Sequence, residues 1–209
     1  MSLLFARLRA GTERQHREIE GLVSPMQSFA SLEAYKAHLV NAWQFHACLE
    51  PALATIDWPG LGIDYASRRK TPLLDQDLRA LGVSHPSTRA AQRLERSGLN
   101  FAMGCLYVLE GATLGGQLIS RHLATLGIGP ANGGLFFNGY GIRTGDMWKS
   151  FQLRAAGHCI TDDQIDSAVH GARWTFEQYR DAMTRRTDAA DASCVSLSHQ
   201  VPWQHPRAV

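Results

Sequence analysis

A long helical segment that contains several glycines constrains this chain more than any other feature. Apolar residues recur with helical spacing over about 99–126, until Gly127 ends the pattern. Within it, Gly104, Gly111 and Gly115 lie seven and four residues apart and therefore share one face of the helix. Because each interior glycine costs a helix about 1 kcal/mol relative to alanine, we expect the bare backbone to admit a flat or bulky group. Close packing against another helix is the alternative explanation.

The other periodic segments are also typical of helices. They cover about 2–22, 32–56, 72–81, 86–96, 146–157 and 162–185. Ser31 and Thr161 are suitable N-caps for two of them. The glycine- and aromatic-rich residues between 127 and 146 predict a mobile connection and not a strand hairpin. We therefore expect an all-α fold, a single-domain helical bundle over 1–186, followed by a poorly ordered tail over 187–209.

Composition excludes several classes of protein. The chain has 209 residues, 44% of them hydrophobic and 19% charged, which suits one domain with an ordinary core. A net charge of +2 with scattered Lys and Arg argues against nucleic-acid binding. No apolar run approaches the roughly 20 residues that span a bilayer, so we expect no membrane segment. The cysteines form no CxxC pair, which predicts reduced thiols and a cytoplasmic protein; they are Cys48, Cys105, Cys159 and Cys194.

His16 is the candidate metal ligand. It continues the stripe formed by Leu4, Leu8 and Thr12 on the first helix. An imidazole held on a buried helix face is a standard ligand of haem iron. A core histidine bonded to a neighbour is the alternative, since the chain contains nine histidines. Together with the glycine-bearing helix, His16 predicts a site in which imidazole binds one side of a flat group and bare backbone covers the other.

Haem also carries two carboxylates, which call for cationic or hydrogen-bonding partners. Arg9 lies two helical turns before His16, and Tyr107 lies one turn before Gly111. Lys149 and Arg154, on a later helix, are further candidates, although long cations are often solvated surface residues.

Two segments resemble haem oxygenases. Residues 12–20, around His16, are similar to the proximal-histidine segment of that family, and residues 107–117 are similar to its distal helix in the bacterial form. The last helix, with Phe176 and Tyr179, is also similar. The resemblance covers roughly residues 2–185 and is greatest to the bacterial branch that supplies bilin chromophores to bacteriophytochromes.

The resemblance implies a fold, a reaction and roles for residues. The expected enzyme is a haem oxygenase that cleaves haem b, its substrate and cofactor, with O2 to biliverdin, carbon monoxide and ferrous iron; the alpha isomer of biliverdin is expected. His16 would bind the iron, Gly111 and Gly115 would form the catalytic backbone over the haem with Gly116 beside them, and Arg9 would bind a propionate.

The expected partners follow from the same resemblance. No dinucleotide or flavin fingerprint occurs in the sequence, so electrons would come from a ferredoxin or a flavin reductase. A bacteriophytochrome is a candidate acceptor of the bilin.

One position departs from the family pattern. Ala112 stands where animal haem oxygenases have an aspartate that organises distal water, so other groups would have to hold that water; the candidates are Glu110, Thr113, Gln117, Arg121 and exposed main-chain carbonyls. The departure favours one alternative, a non-catalytic haem or bilin binding protein of the same fold.

Two further classes stay open. A thiamine-related enzyme would use Cys105 as nucleophile, although no acid–base set is visible around it. A di-iron protein would need two Glu-x-x-His pairs, and only Glu13 with His16 fits.

Overall fold

Helices form nearly all of the described chain. The computed structural model describes residues 2–23, 29, 31–84 and 98–184, and no strand occurs within these ranges. The helices are α1 (Leu3–Gly11), α2 (Glu13–Leu22), α3 (Leu32–Leu53), α4 (Thr71–Ala80), α5 (Gly98–Thr125), α6 (Leu135–Asn138), α7 (Thr144–His158) and α8 (Asp162–Thr184). The all-α prediction is confirmed. The helix predicted over 86–96 and the tail over 187–209 lie outside the described residues.

The first predicted helix is in fact two helices. Thr12 adopts φ −120° and ψ 10°, which ends α1, and α2 starts at the next residue. The Thr12 hydroxyl donates to the carbonyl oxygen of Leu8 at 2.7 Å, a local bond that competes with regular helix geometry. The predicted stripe survives the break, because Leu4, Leu8 and Thr12 are all buried.

The predicted N-caps are confirmed. Ser31 Oγ accepts from the backbone N–H of Ala34 at 3.1 Å, and Thr161 Oγ1 accepts from that of Gln164 at 3.3 Å. Helix α3 ends three residues before the predicted boundary. There the buried indole of Trp58 donates to the carbonyl oxygen of Leu53 at 2.6 Å, which satisfies one of the last carbonyls of the helix.

The centre of the fold is the packing of α5 against α8. A Cβ on Gly104 would overlap the carbonyl oxygen of Ala168, and a Cβ on Gly171 would overlap that of Phe101. The two backbones therefore touch, and glycine is required on both sides of the contact. The prediction that a ligand could approach the backbone at Gly104 is wrong. The alternative, close packing against another helix, holds at this residue.

The connection over 127–146 contains α6 and a 3-10 turn, Gly141–Arg143. The buried carboxylate of Asp77 accepts the backbone N–H groups of Leu135 at 2.8 Å and Phe136 at 2.7 Å, so α4 caps the start of α6. Helix α7, predicted over 146–157, begins two residues earlier and ends one residue later.

The cysteine prediction is confirmed in part. Cys105 and Cys159 are buried free thiols. Of the helices that the structure describes, none is long and apolar enough to cross a membrane.

Candidate functional site

The imidazole of His16 lies where α2, α5 and α8 meet. Its ring packs against Phe176 with centroids 4.5 Å apart and meets Tyr107 edge-on at 6.3 Å. Its Nδ1 lies 3.1 Å from the carbonyl oxygen of Thr12. The Thr12 hydroxyl lies 3.2 Å from the same Nδ1 but gives its own proton to the Leu8 carbonyl oxygen. Since a carbonyl oxygen only accepts, we assign the proton to Nδ1, which leaves the lone pair on Nε2. A histidine oriented through one ring nitrogen presents the other to a metal.

The Tyr107 phenol, next to His16, is buried and feels the positive charge of Arg9. Burial raises the pKa of the Tyr107 phenol, while the Thr12 side chain and the positive charge of Arg9 act in the opposite direction. Arg9 itself is exposed on α1. The assignment of Arg9 and Tyr107 to the haem propionates stays a prediction.

Of the predicted glycines, Gly115 borders open space and Gly111 lies against the ring of Trp148. A Cβ on Gly115 would meet no atom within 4 Å, and a Cβ on Gly111 would meet only the ring of Trp148, at 3.9 Å. Gly116 differs, because its Cβ position lies 3.1 Å from the carbonyl oxygen of Phe137. The structure thus places Gly116 in packing against α6 instead of on the open face with Gly115.

Trp148 is a wall residue that sequence reasoning missed. Its ring lies 5.9 Å from that of Tyr107, 5.8 Å from that of Phe5 and 5.7 Å from that of Phe151. With its contact to Gly111, these rings form an apolar wall between α1, α5 and α7. The only sequence signal was the spacing of three residues between Trp148 and Phe151, which is common on the buried face of any helix.

The remaining predicted cations are not brought to His16. Lys149 is exposed on α7, next to Trp148 in sequence but turned about 100° around the helix. The Arg154 guanidinium lies 3.1 Å from the Cβ position of Gly62, so it covers a turn elsewhere on the molecule.

A buried charged cluster surrounds Glu110 of α5. The Glu110 carboxylate pairs with Arg68, lies 3.6 Å from Lys70 Nζ, and accepts from the Tyr140 hydroxyl at 2.5 Å. Glu110 is 0% exposed. Lys70 Nζ also donates to the Tyr140 hydroxyl at 2.6 Å, and burial lowers the pKa of Lys70. The run Arg68-Arg69-Lys70 before a helix was the available sequence signal.

A second buried carboxylate adjoins this cluster. Burial raises the pKa of Glu50, but contacts with His46, the Lys70 backbone N–H and Thr71 outweigh burial and hold the pKa at about 2. Arg69 Nε also donates to Glu50, at 3.2 Å. The consecutive cations at 68, 69 and 70 therefore serve two different carboxylates.

The groups proposed to hold distal water are bound to the protein. Glu110 is enclosed in the charged cluster, and the Thr113 hydroxyl donates to the Glu110 carbonyl oxygen at 2.6 Å. Gln117 Nε2 donates to the Asn138 carbonyl oxygen at 3.1 Å, and Arg121 Nε donates to that of Gln117 at 3.3 Å. Ala112 is exposed.

The competing site chemistries receive no support from the described residues. Cys105 is fully buried, its Sγ lies 3.7 Å from the Gly171 carbonyl oxygen, and burial raises the pKa of its thiol to about 12, which is unsuitable for a nucleophile. Across the described ranges, no group of three or more His, Cys, Asp or Glu side chains could hold a metal ion. What these ranges do offer is one oriented imidazole, an apolar wall and a bare helix face, which fit a flat iron macrocycle.

Comparison with known proteins agrees with this description. A family model described as "Heme oxygenase" matches residues 2–185. The haem oxygenase PigA of Pseudomonas aeruginosa is 28% identical over 191 residues, which cover 88% of this chain and 93% of that protein.

Solved structures share the fold. Haem oxygenase from Neisseria meningitidis, solved in NO- and CO-bound forms, has a TM-score of 0.77 and 22% identity, covering 97% of this chain and 100% of that one. Haem oxygenase from Leptospira interrogans has a TM-score of 0.69 and 18% identity, covering 88% and 98%. Since the family model matches nearly the whole chain and the fold agrees, this protein belongs to the haem oxygenase family and is an enzyme of haem degradation.

Proposed function

We propose that this enzyme holds haem b between His16 and the bare backbone of α5, and opens it with O2 to biliverdin, carbon monoxide and ferrous iron. The observation that carries the proposal is the bond from His16 Nδ1 to the Thr12 carbonyl oxygen at 3.1 Å, which leaves Nε2 to bind iron. The open space at Gly115 supports it from the opposite side.

Each residue then has a physical task. Bound haem supplies the iron at which oxygen reacts and the ring that is opened. His16 would hold the iron through its neutral Nε2. The glycine backbone of α5 leaves room on the distal face, where any side chain at Gly115 would intrude. Trp148, backed by Phe5, would exclude water from that face.

The propionates would be held by Arg9 and Tyr107, at one edge of the site. A charge-assisted bond from Arg9 and a hydrogen bond from Tyr107 would fix the rotation of haem in its plane, and with it the ring carbon that reacts. We assign the alpha isomer of biliverdin on the family resemblance.

The electron donor is a second part of the proposal. Arg9 and Lys149 are exposed cations on the two helices that flank this edge. They suit the acidic surface of a ferredoxin or of a flavin reductase, in an encounter that salt would weaken. The bilin would pass to a receiver protein such as a bacteriophytochrome, inside a cytoplasmic compartment. We place the functional domain at residues 1–186.

The test is turnover of hemin by the purified protein. Hemin is mixed with the protein, ascorbate is added in air with catalase present, and the absorption spectrum is followed with time. We expect loss of the Soret band and growth of a broad red band of biliverdin, whose isomer is identified by chromatography. A Soret band that persists would reject catalysis, and catalase excludes oxidation by free peroxide. Absence of any haem spectrum would reject the site.

A further inference from the structure

One guanidinium group touches both sides of the contact between Gly111 and Trp148. Arg68 Nη1 pairs with Glu110, the residue before Gly111, and donates at 3.3 Å to the carbonyl oxygen of Met147, the residue before Trp148. The Trp148 ring lies 3.9 Å from the Cβ position of Gly111. The same arginine thus joins α5 and α7 one residue away from the place where they form the distal wall.

The joint is deeply buried and is supported on its far side. The side chains of Arg68 and Glu110 are 4% and 0% exposed. The second carboxylate oxygen of Glu110 accepts from the Tyr140 hydroxyl at 2.5 Å, and Lys70 Nζ lies 3.6 Å away. Removal of two charges from water is costly, and apolar residues of similar volume often give equal or greater stability. A gain in stability therefore does not explain why this ion pair is buried here. Its position does, because the pair joins α5 to α7.

The aromatic contacts of Trp148 cannot fix its position by themselves. The rings of Phe5, Tyr107 and Phe151 meet that of Trp148 at 5.7 to 5.9 Å, contacts that tolerate sliding. A hydrogen bond to the backbone of α7 sets its height along α5. Among the described residues, the polar links nearest to Trp148 between these helices also include Gln117 Nε2 to Thr144 Oγ1 at 3.2 Å, one turn before Trp148.

We propose that Arg68 is a positioning residue: held by Glu110, its guanidinium fixes α7 so that Trp148 closes over Gly111 and shapes the distal side of the haem site. The inference rests on the proposed function for its consequence in catalysis, but not for its geometry. Loss of the clamp would let Trp148 move away from Gly111 while the proximal residue, His16 on α2, keeps its place.

The direct test is the environment of Trp148 in the haem-free protein. The chain contains five tryptophans, which are labelled with 5-fluorotryptophan and observed by ¹⁹F NMR; Trp148→Phe identifies the Trp148 signal. In Arg68→Met we expect that signal alone to shift and broaden. The matched control is Arg79→Met, which removes an exposed arginine from α4 and is expected to leave all signals in place. A Trp148 signal at the wild-type position in folded Arg68→Met would overturn the proposal.

A second variant covers failure to fold. Arg68→Met combined with Glu110→Gln removes both charges of the pair together, while Lys70 Nζ keeps the Tyr140 hydroxyl at 2.6 Å as its hydrogen-bond partner, and the expected shift of the Trp148 signal is the same. In the hemin-loaded protein the clamp variant should give a mixture of biliverdin isomers where the wild type gives one, with an unchanged His16-ligated spectrum. A shifted ¹⁹F signal with no hemin binding by the wild type would uphold the clamp and reject the proposed function. An unshifted signal in the Arg68 variant, together with normal turnover by the wild type, would reject the clamp and uphold the proposed function.

Discussion

Gly104 and Gly115 lie on the same stripe of α5 but meet different surroundings. The Cβ position of Gly104 coincides with the backbone of α8, whereas that of Gly115 faces open space. Spacing along one helix could identify the stripe but not its neighbours, because the neighbour of Gly104 is set by the tertiary packing of Ala168. Of the three, Gly115 remains as open backbone that a ligand could approach, and Gly111 lies under the ring of Trp148.

This difference predicts opposite results from two substitutions. Gly115→Val should leave the haem-free protein as stable as wild type, or more stable by roughly a few tenths of a kcal/mol, because valine is a slightly better helix former than glycine. Its branched side chain should nevertheless block hemin turnover. Gly104→Ala should lower the melting temperature, since the added methyl group displaces α8. Thermal unfolding by circular dichroism and the ascorbate assay measure both; normal turnover by Gly115→Val would mean that the stripe serves packing alone.

At the scale of elements, caps and apolar spacing predicted most helices closely, whereas contacts between residues distant in sequence were missed. Boundaries of α4, α5 and α8 fall within about two residues of prediction because caps and apolar spacing are local properties. The break at Thr12 was missed since the apolar stripe runs through it without interruption. The Arg68–Glu110 pair was missed for another reason: its members are 42 residues apart in sequence.

The cap of α3 gives a prediction at this scale. Ser31→Ala removes the acceptor for the Ala34 N–H and should cost about 1 kcal/mol of unfolding free energy. Ser31→Asp keeps an acceptor at the same place and should restore wild-type stability. Urea unfolding of the three proteins measures the difference. Equal midpoints for Ser31→Ala and wild type would show that the cap contributes nothing.

At the scale of the whole molecule, His38 makes stability depend on pH. It is buried between Phe29 and Phe137, its Nε2 has no hydrogen-bond partner, and burial lowers its pKa from 6.5 to about 4. Between these two values the unfolded chain binds more protons than the folded one, so unfolding free energy falls as pH decreases through this window. The loss accumulates to roughly 3 kcal/mol at most.

Substitution isolates this contribution. His38→Leu fills the apolar site without a titrating group and should flatten the dependence between pH 6.5 and 4. Glu50 acts in a separate window, because its lowered pKa withdraws stability only as pH falls from 4.5 towards 2. Urea midpoints measured across both windows separate the two groups. An unchanged slope in His38→Leu between pH 6.5 and 4 would assign the dependence to another residue.

The central claim is that His16 Nε2 binds the haem iron, and a hemin titration of His16→Ala tests it most directly. The wild type and the control His158→Ala, which changes a half-buried histidine at the end of α7, should show the same imidazole-ligated spectrum. His16→Ala should lose that spectrum and its turnover, and added imidazole should restore the spectrum by entering the space left by the side chain. An unaltered spectrum and normal biliverdin formation in His16→Ala would contradict the account.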